Sequence, residues 1–184
     1  MAKGKSKGRN NSSGGGTATI IGTNNADTIG FINEQVNNLG ITKNVTIEFT
    51  DNLRSSTSRG SVGYSDSVIK DGNMRYLEPS YKVNILNSAK NQKNIIAHEL
   101  THIKQMQDGR LRFGFELKEV NGKLIAYQMG RYWDGKFHIS DKDYTKIKKA
   151  LSSAKTQAAY DKALAKYKAL PWEKEAYAAG DKYD

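Results

Sequence analysis

The pattern that most constrains how this chain can fold lies near its middle, where two histidines stand four positions apart in an amphipathic segment. Residues 95–102 read IIAHELTH, which contains the motif H-E-x-x-H. Apolar residues recur here at helical spacing, so we predict a helix that begins near Ser88 or Asn91 and ends at Gln107. One face of this helix is suited to a core: Ile96, Leu100 and Ile103. The chain is therefore expected to fold around this helix.

His98 and His102 lie one above the other if this segment is helical, because positions i and i+4 share a helix face. Two imidazoles so placed can both reach one metal ion at ~2.0–2.1 Å. Glu99 stands beside them, where its carboxylate can take a proton from a water that zinc has acidified. The motif predicts a site for one zinc ion with Glu99 as the catalytic base. The alternative is a pair of surface histidines on an amphipathic helix.

A catalytic zinc ion needs a third protein ligand, and the sequence narrows the choice. The remaining histidine, His138, lies downstream in a predicted strand or loop. Gln105 and Asp108 stand where the longer metzincin motif requires a glycine and a third histidine, which argues against that arrangement. A glutamate from a second helix is the other solution. The segment LPWEKEAY near the C-terminus offers two such carboxylates: Glu173 and Glu175.

The pairing of an HELTH helix with a later PWEKEAY segment resembles small gluzincin-type zinc metallopeptidase domains (HExxH…E) of bacterial and phage proteins. The resemblance runs from Val83 to Tyr177, although its strict motifs cover only these two segments. It implies a zincin-like α+β fold, in which a small mixed sheet packs on the active-site helix and the C-terminal part is helical. In zincin folds a sheet edge lies beside the active helix, so the strand at residues 83–86 is expected to offer an edge to an extended peptide.

The resemblance also implies which glutamate binds the metal. In relatives of thermolysin the ligand glutamate directly precedes an alanine, as Glu175 precedes Ala176 here. His98, His102 and Glu175 are therefore the metal ligands that the resemblance implies. The chain departs from the family pattern four residues later, where Ala179 replaces an acid and Asp181 is the nearest substitute for orienting a histidine.

The rest of the chain supports an α+β fold of one domain, residues 17–184. A first helix is predicted over residues 26–38, with Asn25 as its cap and Gly40 after its end. Alternating apolar residues predict strands at 45–49 and 83–86, separated by a loop over residues 54–63. The Asn121-Gly122 pair predicts a hairpin between two strand-like runs. Helices are expected from Asp141, which can cap the first of them, to residue 169 and again, after Pro171, over residues 172–179.

Charge and composition bound the possible partners. The chain carries a formal net charge of +10, which favours acidic partners. Residues 1–16 are basic and almost free of apolar side chains, so they are predicted to be a disordered tail able to contact nucleic acid or an assembly. The chain has no cysteine, which excludes thiol nucleophiles and disulfides. No segment resembles a signal peptide or a membrane span, so a cytoplasmic or virion-associated location is expected.

These patterns lead us to expect a zinc-dependent metalloendopeptidase that hydrolyses peptide bonds in a peptide or protein substrate. The main alternative is a zincin-like structural component of a larger assembly, such as a phage virion, anchored by its basic tail. A nucleic-acid-binding protein driven by charge alone is a third hypothesis. Four residues are open as the group that stabilises the oxyanion: Tyr177, Tyr132, His138 and Arg131.

Overall fold

The computed structural model of the protein describes residues 15–23, 25–52 and 60–184. The strands are β1 (Ala18–Ile21), β2 (Val45–Thr50), β3 (Gly60–Asp71), β4 (Met74–Leu86), β5 (Leu111–Val120), β6 (Lys123–Trp133) and β7 (Lys136–Ser140). The helices are α1 (Ala26–Asn38), α2 (Gln92–Gln107), α3 (Asp141–Ser152), α4 (Gln157–Lys168) and α5 (Pro171–Gly180), followed by a 3₁₀ turn at Asp181–Tyr183. The fold is therefore α+β, with five α-helices and one mixed sheet of seven strands in the described residues.

The long strand β4 organises the sheet. Its last residues pair with β2 in parallel, with Val83 opposite Ile47, while its first residues pair with β5 in antiparallel fashion, with Met74 opposite Glu116. β3 pairs antiparallel with β4 along its whole length. Since β2 and β5 share one edge of β4, β3 occupies the other, and β3 pairs with no second strand among the described residues. β3 is therefore an edge strand.

The main core lies where α1 and α2 pack on the parallel part of the sheet. β2 alternates buried and half-buried residues, so one face of the strand enters this core. Fully buried side chains come from the sheet and from both helices: Ile32, Ile47, Val83, Ile85, Leu100 and Ile103. A second, smaller core joins α2 to the C-terminal helices, with Trp172 at its centre. The helix that carries the HELTH motif is thus held from both sides.

Several predicted elements are confirmed. The first helix spans the predicted residues 26–38, and the Asn25 side chain accepts a hydrogen bond from the Thr28 amide at 3.0 Å. The hairpin turns at Asn121 and Gly122, whose φ angles of 51° and 72° match the two positive values of a type I′ turn. The buried face of α2 is the predicted one.

Other predictions are wrong or incomplete. Residues 60–63, predicted as part of a loop, begin β3, and the strand predicted at residues 83–86 is the end of a strand of 13 residues. β3 is rich in serine, glycine and aspartate and lacks clean alternation, so its pairing with β4 is a tertiary effect. Ser140, not Asp141, caps α3.

Two further predictions concern the N-terminal tail and membrane-spanning segments. The tail predicted over residues 1–16 lies outside the described residues, except for residues 15 and 16. The Gly16 amide donates to the Ile41 carbonyl oxygen at 2.9 Å, so Gly16 contacts the folded part of the chain. Among the described helices, none combines the length and the apolar character needed to cross a bilayer.

Candidate metal centre

The helix α2 presents both motif histidines to a cleft on the side opposite the main core. Leu100 and Ile103 are fully buried against the sheet, so the helical spacing turns His98 and His102 to the other side. The two Nε2 atoms lie 3.2 Å apart, and the rings meet edge to face with centroids 4.8 Å apart. Both ligand atoms therefore point at the same spot.

The helix α5 brings a carboxylate to that spot. Pro171 occupies its first turn and Trp172, almost completely buried, packs the start of the helix into the second core. Glu173 follows, with its Oε2 atom 3.4 Å from His98 Nε2 and 3.5 Å from His102 Nε2. We call His98, His102 and Glu173 the ligand group; they are the one set of three potential metal-binding side chains found together in the described residues.

Glu175, which the family resemblance singled out, does not lie in the ligand group. Its carboxylate forms a two-pronged ion pair with Arg110, with N–O distances of 2.7 and 2.9 Å, on the protein surface. Residues two apart on a helix point about 200° from each other, so Glu173 and Glu175 cannot both face the histidines. Burial of the Trp172 side chain fixes the rotation of α5 about its own axis. In this rotation Glu173 faces the two histidines. The sequence left both glutamates open because it does not show that rotation.

Gln105 links the two helices and orients one histidine. Its Nε2 donates to the Trp172 carbonyl oxygen at 3.0 Å and to Glu175 Oε2 at 3.2 Å, so its Oε1 is the acceptor that faces His102 Nδ1 at 2.9 Å. His102 Nδ1 therefore carries a proton, and Nε2 is the ring nitrogen that faces the ligand group and can bind a metal when it is deprotonated. In the sequence, Gln105 is visible only as a mismatch to the metzincin motif. No described hydrogen bond joins Asp181 to either histidine.

The ligand group fits a zinc ion. Bonds of ~2.0–2.1 Å at tetrahedral angles require ligand atoms ~3.3 Å apart, and the three distances here are 3.2, 3.4 and 3.5 Å. Glu173 Oε2 is buried and has no hydrogen-bond partner among the described residues. A buried carboxylate oxygen without a donor is costly unless a cation faces it.

The electrostatics of the ligand group follow from burial and mutual contact. Burial lowers the pKa of His102, but its contact with Glu173 outweighs this effect and raises that pKa to about 9. Burial opposes the ionised form of Glu173, but both histidines stabilise it and hold the pKa of Glu173 well below its usual range. Without a metal, the group is thus a buried ion pair between an imidazolium and a carboxylate.

Glu99 lies next to the ligand group on the cleft floor. It is 7% exposed, and burial raises the pKa of its carboxyl although the two histidines oppose this effect. A raised pKa brings a carboxylate closer to the range in which a general base works at neutral pH. The position and environment of Glu99 suit the role that the motif predicts.

The cleft above the ligand group has a volume of about 750 Å³. Its walls come from the edge strand β3, from α2 and from the C-terminal helices. Of the four residues open for the oxyanion, Tyr177 and Arg131 line the cleft, and the Tyr177 ring lies 4.7 Å from the His98 ring. Tyr132 and His138 do not line it: the Tyr132 hydroxyl donates to the Gln128 carbonyl, and His138 packs on Trp172.

Tyr167, on α4, is a cleft residue that no motif in the sequence indicates. It lines the cleft and packs on the Tyr144 ring, with centroids 6.3 Å apart. Burial raises the pKa of its hydroxyl well above the usual value, with the charge of Glu173 as the next cause. Its hydroxyl therefore remains a neutral donor beside Glu173, and no spacing signal in the sequence indicated this contact.

Comparison of the chain with protein-family models, curated proteins and solved structures finds no match.

Proposed function

We propose that this protein is a zinc-dependent metallopeptidase with a zincin-like fold of the gluzincin type. The observation that carries the proposal is the meeting of two histidines four apart on α2 with a glutamate from α5, beside the carboxylate of Glu99. This set holds three protein ligands and leaves one side open to a cleft, which distinguishes a catalytic zinc site from a closed structural one.

In this proposal His98, His102 and Glu173 hold the metal. A bound zinc ion supplies Lewis acidity, which polarises a peptide carbonyl and lowers the pKa of a water molecule. Glu99 would accept a proton from the water as its oxygen bonds to the carbonyl carbon, and would donate that proton to the amine that leaves when the C–N bond breaks. Gln105 holds the tautomer of His102, and Tyr177 is placed to donate a hydrogen bond to the oxygen that becomes negative in the transition state.

The edge strand β3 supports a peptide as the substrate class. Residues 61–64 of β3 line the cleft, and the outer edge of this strand pairs with no other described strand. An extended peptide can add to such an edge through main-chain hydrogen bonds. The expected edge at residues 83–86 is covered instead, because β2 and β3 flank that part of β4.

The Glu99→Gln variant tests the proposal. It keeps the volume of the side chain and removes the base, so we expect zinc content near one ion per chain and a fall of about 10²- to 10⁴-fold in hydrolysis of a casein-type substrate. Zinc content is measured by elemental analysis, and Glu34→Gln, at an exposed residue of α1 outside the cleft, serves as the matched surface control. Equal activity in Glu99→Gln and wild type would rule out this mechanism.

A second function is favoured by the exposed apolar residues of the β5–β6 hairpin. Leu124 is 66% exposed and Met129 49%, and several exposed apolar side chains on one hairpin are typical of a partner site. On this basis the chain is a zincin-like structural component of a larger assembly, to which residues 1–16 add a basic anchor. Zinc-loaded protein that cleaves nothing in a broad peptide library would favour this function over the first.

A further inference from the structure

The wall of the cleft is positively charged away from the ligand group. The cations that line it are Arg131, Lys148 and Lys168, whereas the described carboxylates that line it are Glu99 and Glu173 on the floor. Both carboxylates already have a role beside the metal in the proposed function. The remaining positive charge therefore faces the space that a substrate would occupy.

Arg131 is held in a fixed orientation on β6. Its guanidinium carbon lies 3.4 Å from the centroid of the Tyr144 ring and 5.0 Å from that of Phe113, and one terminal nitrogen lies 3.2 Å from the Asp141 carboxylate. The Asp141 side chain is 43% exposed and that of Arg131 is 17% exposed. Asp141 contacts only one terminal nitrogen of the guanidinium, which has five N–H donors in all. Stacking between two rings orients the guanidinium plane without using its other donors.

Tyr64 adds a buried donor beside Arg131. Its ring packs on Phe113 with centroids 5.9 Å apart, and its hydroxyl is buried with no hydrogen-bond partner among the described residues. Tyr64 lies opposite Pro79 between two register shifts of β3, so its backbone departs from the regular ladder at this point. A buried hydroxyl left unpaired destabilises a fold, and an acceptor atom of a ligand in the cleft would satisfy it.

Lys148 completes the group from α3. It follows Tyr144 by one helical turn, and its Nζ atom lies 5.9 Å from the Tyr144 ring centroid. Within the described parts of the chain, no carboxylate forms an ion pair with Lys148. Its ammonium group is therefore available to a ligand in the cleft.

We propose that Tyr64, Arg131 and Lys148 form a subsite for a carboxylate of the peptide substrate. The proposal rests on the proposed peptidase function and adds the substrate class: peptides with a carboxylate near the scissile bond. A guanidinium, an ammonium and a neutral hydroxyl all donate hydrogen bonds, and a carboxylate accepts them with opposite charge. The carboxylate can belong to an aspartate or glutamate side chain or to the C-terminus of the peptide.

The experiment compares peptides that differ only in this carboxylate. One quenched fluorescent library has blocked ends and carries glutamate or glutamine at each position around the scissile bond; a second carries glutamine throughout and a free C-terminus. We expect kcat/KM to be about tenfold higher for glutamate at one position if a side chain is bound, or for the free C-terminus if the terminus is bound. Equal rates for all of these peptides would overturn the proposal and leave the peptidase function intact.

Variants of Lys148 and Tyr64 connect the preference for a carboxylate to the proposed subsite. We expect Lys148→Gln and Tyr64→Phe each to reduce the ratio of carboxylate to amide peptide cleavage by about threefold or more, and added salt to reduce it in wild type. Lys149→Gln is the matched control, since it removes the same charge from the next residue of α3, outside the cleft. A ratio that falls equally in Lys149→Gln would assign the preference to overall charge and overturn the subsite.

Binding separates this inference from the proposed function. Fluorescence anisotropy with the zinc-loaded Glu99→Gln variant measures affinity for the carboxylate and amide peptides without cleavage. If wild type cleaves nothing, the peptidase function fails, and the subsite then stands or falls on whether the carboxylate peptide binds about tenfold more tightly. Equal binding of the two peptides overturns the subsite whatever the activity.

Discussion

The α2–α5 junction and the outer part of the β5–β6 hairpin depart from the usual distribution of side chains in opposite ways. The junction buries charged groups: Glu173 is 2% exposed and His102 6%. The hairpin exposes apolar ones, because residues 118–125 extend beyond the end of β4 and pair only with each other among the described strands. Leu124 and Ile125 are 66% and 45% exposed there. Buried charge requires a compensating ligand within the fold, whereas exposed apolar surface leaves the fold intact and concerns partners.

The largest expected effect is that of truncating the Trp172 side chain at the α2–α5 junction. Trp172→Ala should lower the free energy of unfolding by about 3–5 kcal/mol, because Trp172 fills the second core against Trp133 and Tyr144. Zinc affinity should fall as well, since the Trp172 carbonyl accepts a hydrogen bond from Gln105 and Glu173 is the next residue. Urea denaturation and zinc titration measure the two effects. Trp172→Phe is the milder control, and a loss below about 1 kcal/mol in Trp172→Ala would contradict this view of the junction.

The second prediction separates the two glutamates of α5. Glu173→Gln should weaken zinc binding by at least about 100-fold, because it removes the one carboxylate that faces both histidines. Glu175→Gln should weaken it by no more than about tenfold, since Glu175 acts only through Arg110 and Gln105. Competition with a fluorescent chelator measures both constants. If Glu175→Gln weakened zinc binding more than Glu173→Gln does, Glu175 and not Glu173 would be the metal ligand.

The third prediction concerns the pH dependence of metal binding at the junction. In the metal-free protein contact with Glu173, opposed by burial, holds the pKa of His102 at about 9, so near pH 7 zinc must displace one proton from this ring. Zinc affinity should therefore rise by about tenfold per pH unit above pH 7 and level off as pH passes 9. Calorimetry in buffers of different ionisation enthalpy should detect the released proton. A flat profile from pH 7 to 9 would show that His102 is already neutral.

The smallest effect is expected in the hairpin. Leu124→Ala should change the free energy of unfolding by less than about 0.5 kcal/mol, because this side chain is mostly in contact with water. Leu100→Ala, which truncates a fully buried leucine of α2, should lower it by about 2–5 kcal/mol. Chemical denaturation of both variants measures the contrast. A loss above 1 kcal/mol in Leu124→Ala that depends on protein concentration would indicate that a second copy covers the hairpin.

Local patterns in the sequence were enough to predict the elements whose signals are local. The cap at Asn25, the turn at Asn121-Gly122 and the apolar face of α2 all depend on residues within a few positions of each other, and all three are confirmed. The edge strand β3 was missed because its residues have little strand character and its pairing with β4 defines it. The conformational preferences of residues adjacent in sequence do not predict pairing with another strand.

In the candidate site, too, some features depend on local sequence and others on tertiary packing. Helical periodicity alone places His98 and His102 on one face with Glu99 beside them, because an α-helix repeats every 3.6 residues whatever surrounds it. Which glutamate joins them depended on the rotation of α5, and that rotation follows from burying Trp172 in a core assembled from distant parts of the chain. The sequence by itself therefore determined how these three side chains are placed relative to one another. Tertiary packing brought Glu173, and not Glu175, to the histidines, and it also brought Tyr64 and Arg131 to the cleft, because burial of side chains far apart in sequence is optimised only in the folded chain.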